Sequence, residues 1–123
     1  MIPAPTEAQE QSALFRWAAY STGAYPELQL LYHVPNGGSR NRLEAHNLKL
    51  QGVKPGVPDI VLPVARGQWH GLYIELKRTE KGRLSEAQKW WLEALTRAGY
   101  RAVCCKGWKA AQEEIIRYLN VPE

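Results

Sequence analysis

Three charged side chains, Asp59, Glu75 and Lys77, stand in short apolar stretches that give them no structural reason to be there. Gly56-Val57-Pro58-Asp59-Ile60-Val61-Leu62 and Tyr73-Ile74-Glu75-Leu76-Lys77 both read as β-strands, rich in β-branched and apolar residues. Asp and Glu are depleted in strands. The connection from Ala65 to Gly71 is short and contains glycine, which predicts an antiparallel hairpin. Asp59 opens the first strand and Glu75 and Lys77 close the second, so all three fall at the same end of that hairpin. Side chains alternate across a strand, which puts Tyr73, Glu75 and Lys77 on one face and Leu72, Ile74 and Leu76 on the other. Two facing carboxylates repel unless a cation lies between them. A hard divalent ion bound by carboxylate and carbonyl oxygens is the simplest remedy, with Lys77 free to orient a water or neutralise a phosphate.

The surrounding elements must hold these groups. Thr6 and Gln9 have the form of a capping box, opening a helix that runs to about Ser21. Its inward stripe is Leu14, Trp17, Ala18 and Ser21, with Glu7, Glu10 and Gln11 on or beside it. An acid there either reaches the ion or simply serves the helix dipole from the first turn. Leu28 to Val34 is an apolar run of strand length, stopped by the turn residues Pro35-Asn36-Gly37-Gly38. Ser39, Arg40 and Arg42 follow, suited to phosphate contact. Asn41 with Glu44 predicts a second helix ending at Gly52, along which Arg42, His46 and Lys49 form a basic stripe. A solvated face explains that stripe as well as nucleic-acid contact does.

After Lys77 comes a basic loop, Arg78 to Arg83, and then Leu84, Ser85 and Gln88 in the pattern of staple, cap and capping box. Gln88 therefore has a purely structural explanation, although it lies on the stripe of Leu84, Trp91 and Leu95. Trp90 and Trp91 diverge around the helix, so one belongs to the core. The other is a patch for a partner subunit or a platform for an unpaired base. Tyr100 to Lys106 reads as a strand and Trp108 to Leu119 as a final helix with Ala111, Ile115 and Leu119 inward. The order helix, strand, helix, strand, strand, helix, strand, helix predicts an α/β fold with a mixed central sheet flanked by helices.

At 123 residues a single domain, 1–123, is expected. No basic-then-apolar leader and no bilayer-length apolar run is present, so a cytoplasmic protein without membrane attachment is expected, in a bacterial cell or a phage-infected host. The adjacent Cys104 and Cys105 have no second pair with which to build a zinc site. His33, His46 and His70 lack ligand spacing, although His33 ends the first strand, where it can line a site. A net charge of +4 permits binding to a polyanion without demanding it.

Pro58-Asp59, a gap, and Glu75-Leu76-Lys77 together resemble the PD-(D/E)xK nuclease signature. The wider context is similar to its VRR-NUC branch: Thr6 to Gln11, His33 to Gly38, Gly52 to Asp59, Ile74 to Lys77, and Ser85 to Gln88 recur in that family's order. The resemblance implies a restriction-endonuclease-like core and a catalytic set of Glu7, Asp59, Glu75, Lys77 and Gln88. It implies Mg²⁺ or Mn²⁺ held by Asp59, Glu75, the backbone carbonyl of Leu76 and Glu7, with Glu10 as the alternative helical acid. Hydrolysis of DNA to 5′-phosphate and 3′-hydroxyl ends would follow. Stand-alone members of the branch resemble phage-encoded nucleases selective for branched DNA, so Holliday junction resolution by a homodimer is the implied activity. DNA contacts are expected from Asn36, Arg40, Arg42, Lys49, Lys54, Arg78, Lys81 and Arg83. Two other readings stay open: a nuclease-fold DNA-binding module without catalysis, and a protein-interaction domain that uses its tryptophans.

Overall fold

The computed structural model describes residues 2–35 and 42–123. Its centre is the expected hairpin. Strands β2 (Ile60–Leu62) and β3 (Leu72–Lys77) pair antiparallel with Ile60 opposite Ile74, Val61 opposite Tyr73 and Leu62 opposite Leu72. Helix α3 (Glu86–Arg97) then carries the chain across to β4 (Arg101–Lys106), which runs parallel to β3 from Leu72 opposite Arg101 to Lys77 opposite Lys106. A two-residue strand β1 (Tyr32–His33) pairs antiparallel with β2 and completes a mixed sheet ordered β1-β2-β3-β4. Helices α1 (Glu7–Tyr20), α2 (Arg42–Leu50) and α4 (Trp108–Leu119) complete an α/β fold of the restriction-endonuclease-like kind.

Alternation along β3 decides what the core is. Leu72, Ile74 and Leu76 pack with Leu14 and Ala18 of α1 and with Ala111, Ile115 and Tyr118 of α4. Each leucine or isoleucine among them, fully buried, contributes ~1.5–3 kcal/mol. The opposite face of β3 is enclosed too: Glu75 keeps 4% of its surface exposed and Lys77 8%. Charges at that depth require a partner or a purpose. Cys105 lies in the core, where burial and the nearby Glu114 push its thiol up to about 12, while half-buried Cys104 is shifted the same way by burial. Neither thiol is activated.

The run from Leu28 to Val34 departs from the strand expected of it. Pro26–Leu30 forms a 3₁₀ turn with Pro in its first positions, and only Tyr32 and His33 pair in the sheet. Proline's fixed φ suits the opening of a helical turn, and a short apolar run carries no periodicity to distinguish turn from strand. Asn36, Gly37, Gly38, Ser39, Arg40 and Asn41, including the expected cap of α2 and two expected DNA contacts, lie outside the described residues. None of the nine residues of α2 is buried, and its basic stripe of Arg42, His46 and Lys49 is exposed along its whole length. No described helix is long and apolar enough to cross a membrane.

Candidate metal centre and catalytic cleft

Three elements deliver one acid each. Thr6 caps α1 and Gln9 completes the capping box with reciprocal bonds of 3.1 and 2.9 Å, which fixes Glu7 as the first helical residue. Asp59 precedes β2, where its carbonyl accepts from Val34 N–H at 2.7 Å and from His33 Nδ1 at 3.0 Å; the second bond requires the Nδ1-protonated tautomer of His33. Glu75 lies three residues from the start of β3. One oxygen from each of Glu7, Asp59 and Glu75 falls within 4.8 Å of the others. They share a cleft lined also by Gln11, His33, Gly56, Val57 and Gln88.

The electrostatics show the cost of this arrangement. Burial and then the charge of Asp59 push the Glu75 carboxyl up to about 8, against the opposing pull of Lys77. Asp59 is raised as well, chiefly by burial, although the Leu76 N–H donated to its Oδ1 at 3.0 Å works in the other direction. Lys77 Nζ stands 4.0 Å from Glu75 Oε2, too far for a full hydrogen bond, with its side chain 10% exposed. Gly82 packs against it: a Cβ there would meet Lys77 Cβ at 2.9 Å and Arg78 O at 2.8 Å. One lysine is thus set against three carboxylates, and the donor set suits a hard cation. Oxygen ligands reach such an ion at roughly 2.0–2.6 Å, a spacing that small side-chain adjustments would give these three. The site fits a divalent metal.

Gln88 serves two structures at once. Its Oε1 accepts from the Ser85 N–H at 2.8 Å, closing the capping box of α3, and its Nε2 donates to Glu75 Oε2 at 3.3 Å. The same side chain therefore makes both the cap and the contact with Glu75. The loop between β2 and α2 is brought close by Gly56, whose φ of +86° and contact with the Ala87 backbone, 2.6 Å from where a Cβ would stand, both require glycine.

Glu10 lies elsewhere. It is 4% exposed and accepts from Trp108 N–H at 3.2 Å, so it caps α4, whose own N-cap, Gly107, has no side chain to offer. A carboxylate at a helix N-terminus answers both the unpaired N–H groups and the dipole. A second hollow between α1 and α4 is lined by Glu10, Arg16, Arg78 and Trp108, but its acid is committed to that cap. The sequence carried one signal of this: Lys106-Gly107-Trp108 begins a helix with no Ser, Thr, Asp or Asn to cap it. Glu10→Ala should therefore lower stability by ~1–2 kcal/mol, a drop of a few degrees in melting temperature, because the start of α4 loses its cap. Unchanged melting would show that Glu10 has no such capping role.

Among the described residues, none of the expected DNA contacts lines the cleft. Lys54, Lys81 and Arg83 are exposed, as are Arg42 and Lys49 on α2. Half-buried Arg78 instead donates through Nη2 to Ala4 O at 3.4 Å, holding the segment before α1.

A mixed sheet whose hairpin presents two acids and a lysine, joined by a helical acid and a helical glutamine, is the arrangement of the PD-(D/E)xK class. The sequence signature of the VRR-NUC domain matches residues 5–109, and the chain belongs to the VRR-NUC family. A solved structure described as a VRR_NUC domain protein superposes with a TM-score of 0.86 at 30% identity, over 99% of this chain and 94% of that one. No curated protein matches the chain.

Proposed function

We propose that the chain is a divalent-metal-dependent DNA endonuclease with preference for branched substrates. The observation that carries this reading is the convergence of exposed Glu7, half-buried Asp59 and buried Glu75 on one point, with an imperfectly paired lysine beside Glu75. Asp59, Glu75 and Glu7, with the backbone carbonyl of Leu76, would hold Mg²⁺ or Mn²⁺. When bound, such an ion would supply Lewis-acid polarisation of the scissile phosphate and a more acidic water. Lys77 holds that water or the charge that develops on the phosphate. Gln88 orients Glu75 through its Nε2, and His33 fixes the backbone at Asp59. Exposed Arg42, Lys49, Lys54, Lys81 and Arg83 supply sequence-independent attraction to the DNA backbone, which suits recognition of shape. Paired symmetric cuts, as in resolving a four-way junction, need two such sites and hence a homodimer.

The test is cleavage of labelled duplex, flap, splayed-arm and four-way DNA in Mg²⁺, in Mn²⁺ and in EDTA. Cutting of branched DNA in either ion and none in EDTA is expected. DNA binding with no cutting in either ion would leave a binding module instead.

A further inference from the structure

On the outer side of the Gly56–Ala87 contact lies an aromatic pocket that the catalytic reading leaves unused. It is formed by Lys54, Pro55, Ala87, Trp90 and Trp91. Trp90 is 58% exposed, the most exposed tryptophan described, in a helix otherwise amphipathic in the ordinary way. An exposed indole on a small domain is an apolar surface that needs an explanation.

Its geometry is fixed rather than loose. Trp91 donates its indole N–H to Pro55 O at 3.0 Å, tying α3 to the loop before β2. Trp90 meets Trp91 edge to face, with ring centroids 5.4 Å apart and planes at 87°. One ring therefore supports the other. The pocket adjoins the acid site across that contact: Gly56 lines the cleft and packs on Ala87 of the pocket, and Gln88, next in sequence, bonds Glu75. Lys54 adds positive charge at its rim.

We infer that Trp90 is a stacking platform for an unpaired nucleobase of the DNA strand that runs out of the catalytic cleft, with Lys54 taking the adjacent phosphate. This rests on the proposed DNA nuclease function and adds the feature of the substrate that is read. A π-face accepts any base, and an ammonium beside it accepts any phosphate, so the site selects an unstacked nucleotide rather than a sequence. Fully paired duplex has no such base to offer. The preference for branched or frayed DNA then follows from the surface itself.

The experiment measures fluorescence-anisotropy affinity in Ca²⁺ for splayed-arm DNA carrying either a base or an abasic residue at each position next to the branch. Wild type should bind the abasic form about tenfold more weakly at one position, Trp90→Ala should bind both forms equally at the weaker level, and Trp90→Phe should restore most of the discrimination. Equal binding of both forms by wild type at every position overturns the inference. So does a Trp90→Ala variant that still discriminates but changes from dimer to monomer by light scattering, which would make the pocket a contact between copies of this chain. Cleavage by wild type in Mg²⁺, measured alongside, separates the two levels: cutting without base discrimination sinks only the stacking site, whereas no affinity for any DNA sinks the nuclease reading with it.

Discussion

Glu75→Gln should cut DNA at least about 10³-fold more slowly than wild type and yet, stripped of metal, melt at a higher temperature. On the proposed mechanism the loss follows from removing the most buried ligand of the cation, an interaction of several kcal/mol in the transition state. The gain follows from the same burial. Glu75 is 4% exposed, faces Asp59 and has its carboxyl pushed up to about 8. Glutamine keeps the shape and an oxygen for the Gln88 Nε2 but carries no charge. Below about 4.5 folded and unfolded chains both hold the Glu75 proton, and between there and about 8 only the folded chain does. Folded metal-free wild type therefore loses stability as pH rises through that window, at up to ~1.4 kcal/mol per unit from this group, and the variant loses less. Thermal melts in EDTA from pH 5 to 8.5 read the difference directly. A variant that melts below wild type at pH 8 would show that Glu75 is well accommodated without a cation.

Lys77→Ala is the second large effect. Cutting should fall about 10²–10³-fold, the usual consequence of deleting one preorganised donor to developing charge, while affinity for branched DNA in Ca²⁺ stays within about threefold of wild type. The expectation stands on placement. Lys77 shares the face of Glu75, is enclosed on the side where Gly82 presses on its Cβ, and falls 1 Å or so short of pairing fully with Glu75 Oε2. A lysine so held is available to substrate. Weakened DNA binding equal to the loss in cutting would make Lys77 an ordinary phosphate contact.

How much of this was legible in the sequence depends on the range of the interaction. The hairpin and the faces of β3 follow from strand alternation, because Leu72, Ile74 and Leu76 can be buried together only if Glu75 and Lys77 turn the other way. The starts of α1 and α3 were legible in Thr6 with Gln9 and Ser85 with Gln88, since a capping box is written within four residues. The 3₁₀ turn at Pro26–Leu30 was not, because its apolar run has no period. Glu10 was not either: its partner lies 98 residues away, and nothing local distinguishes a first-turn acid that caps another helix from one that reaches a metal. Glu7 and Glu10 differ by less than one turn, yet one faces the cleft and the other the start of α4. Gln88 shows a further limit, for a complete local explanation did not exclude a second, tertiary one.

The central claim is that Glu7, Asp59 and Glu75 close on one divalent ion. Anomalous diffraction from crystals soaked in Mn²⁺ measures this most directly. The account predicts a manganese peak with carboxylate oxygens of Asp59 and Glu75 at about 2.0–2.6 Å and Glu7 beside it, absent in crystals of Glu75→Gln. A peak found only away from these residues, in crystals of protein that cuts DNA in Mn²⁺, would contradict it.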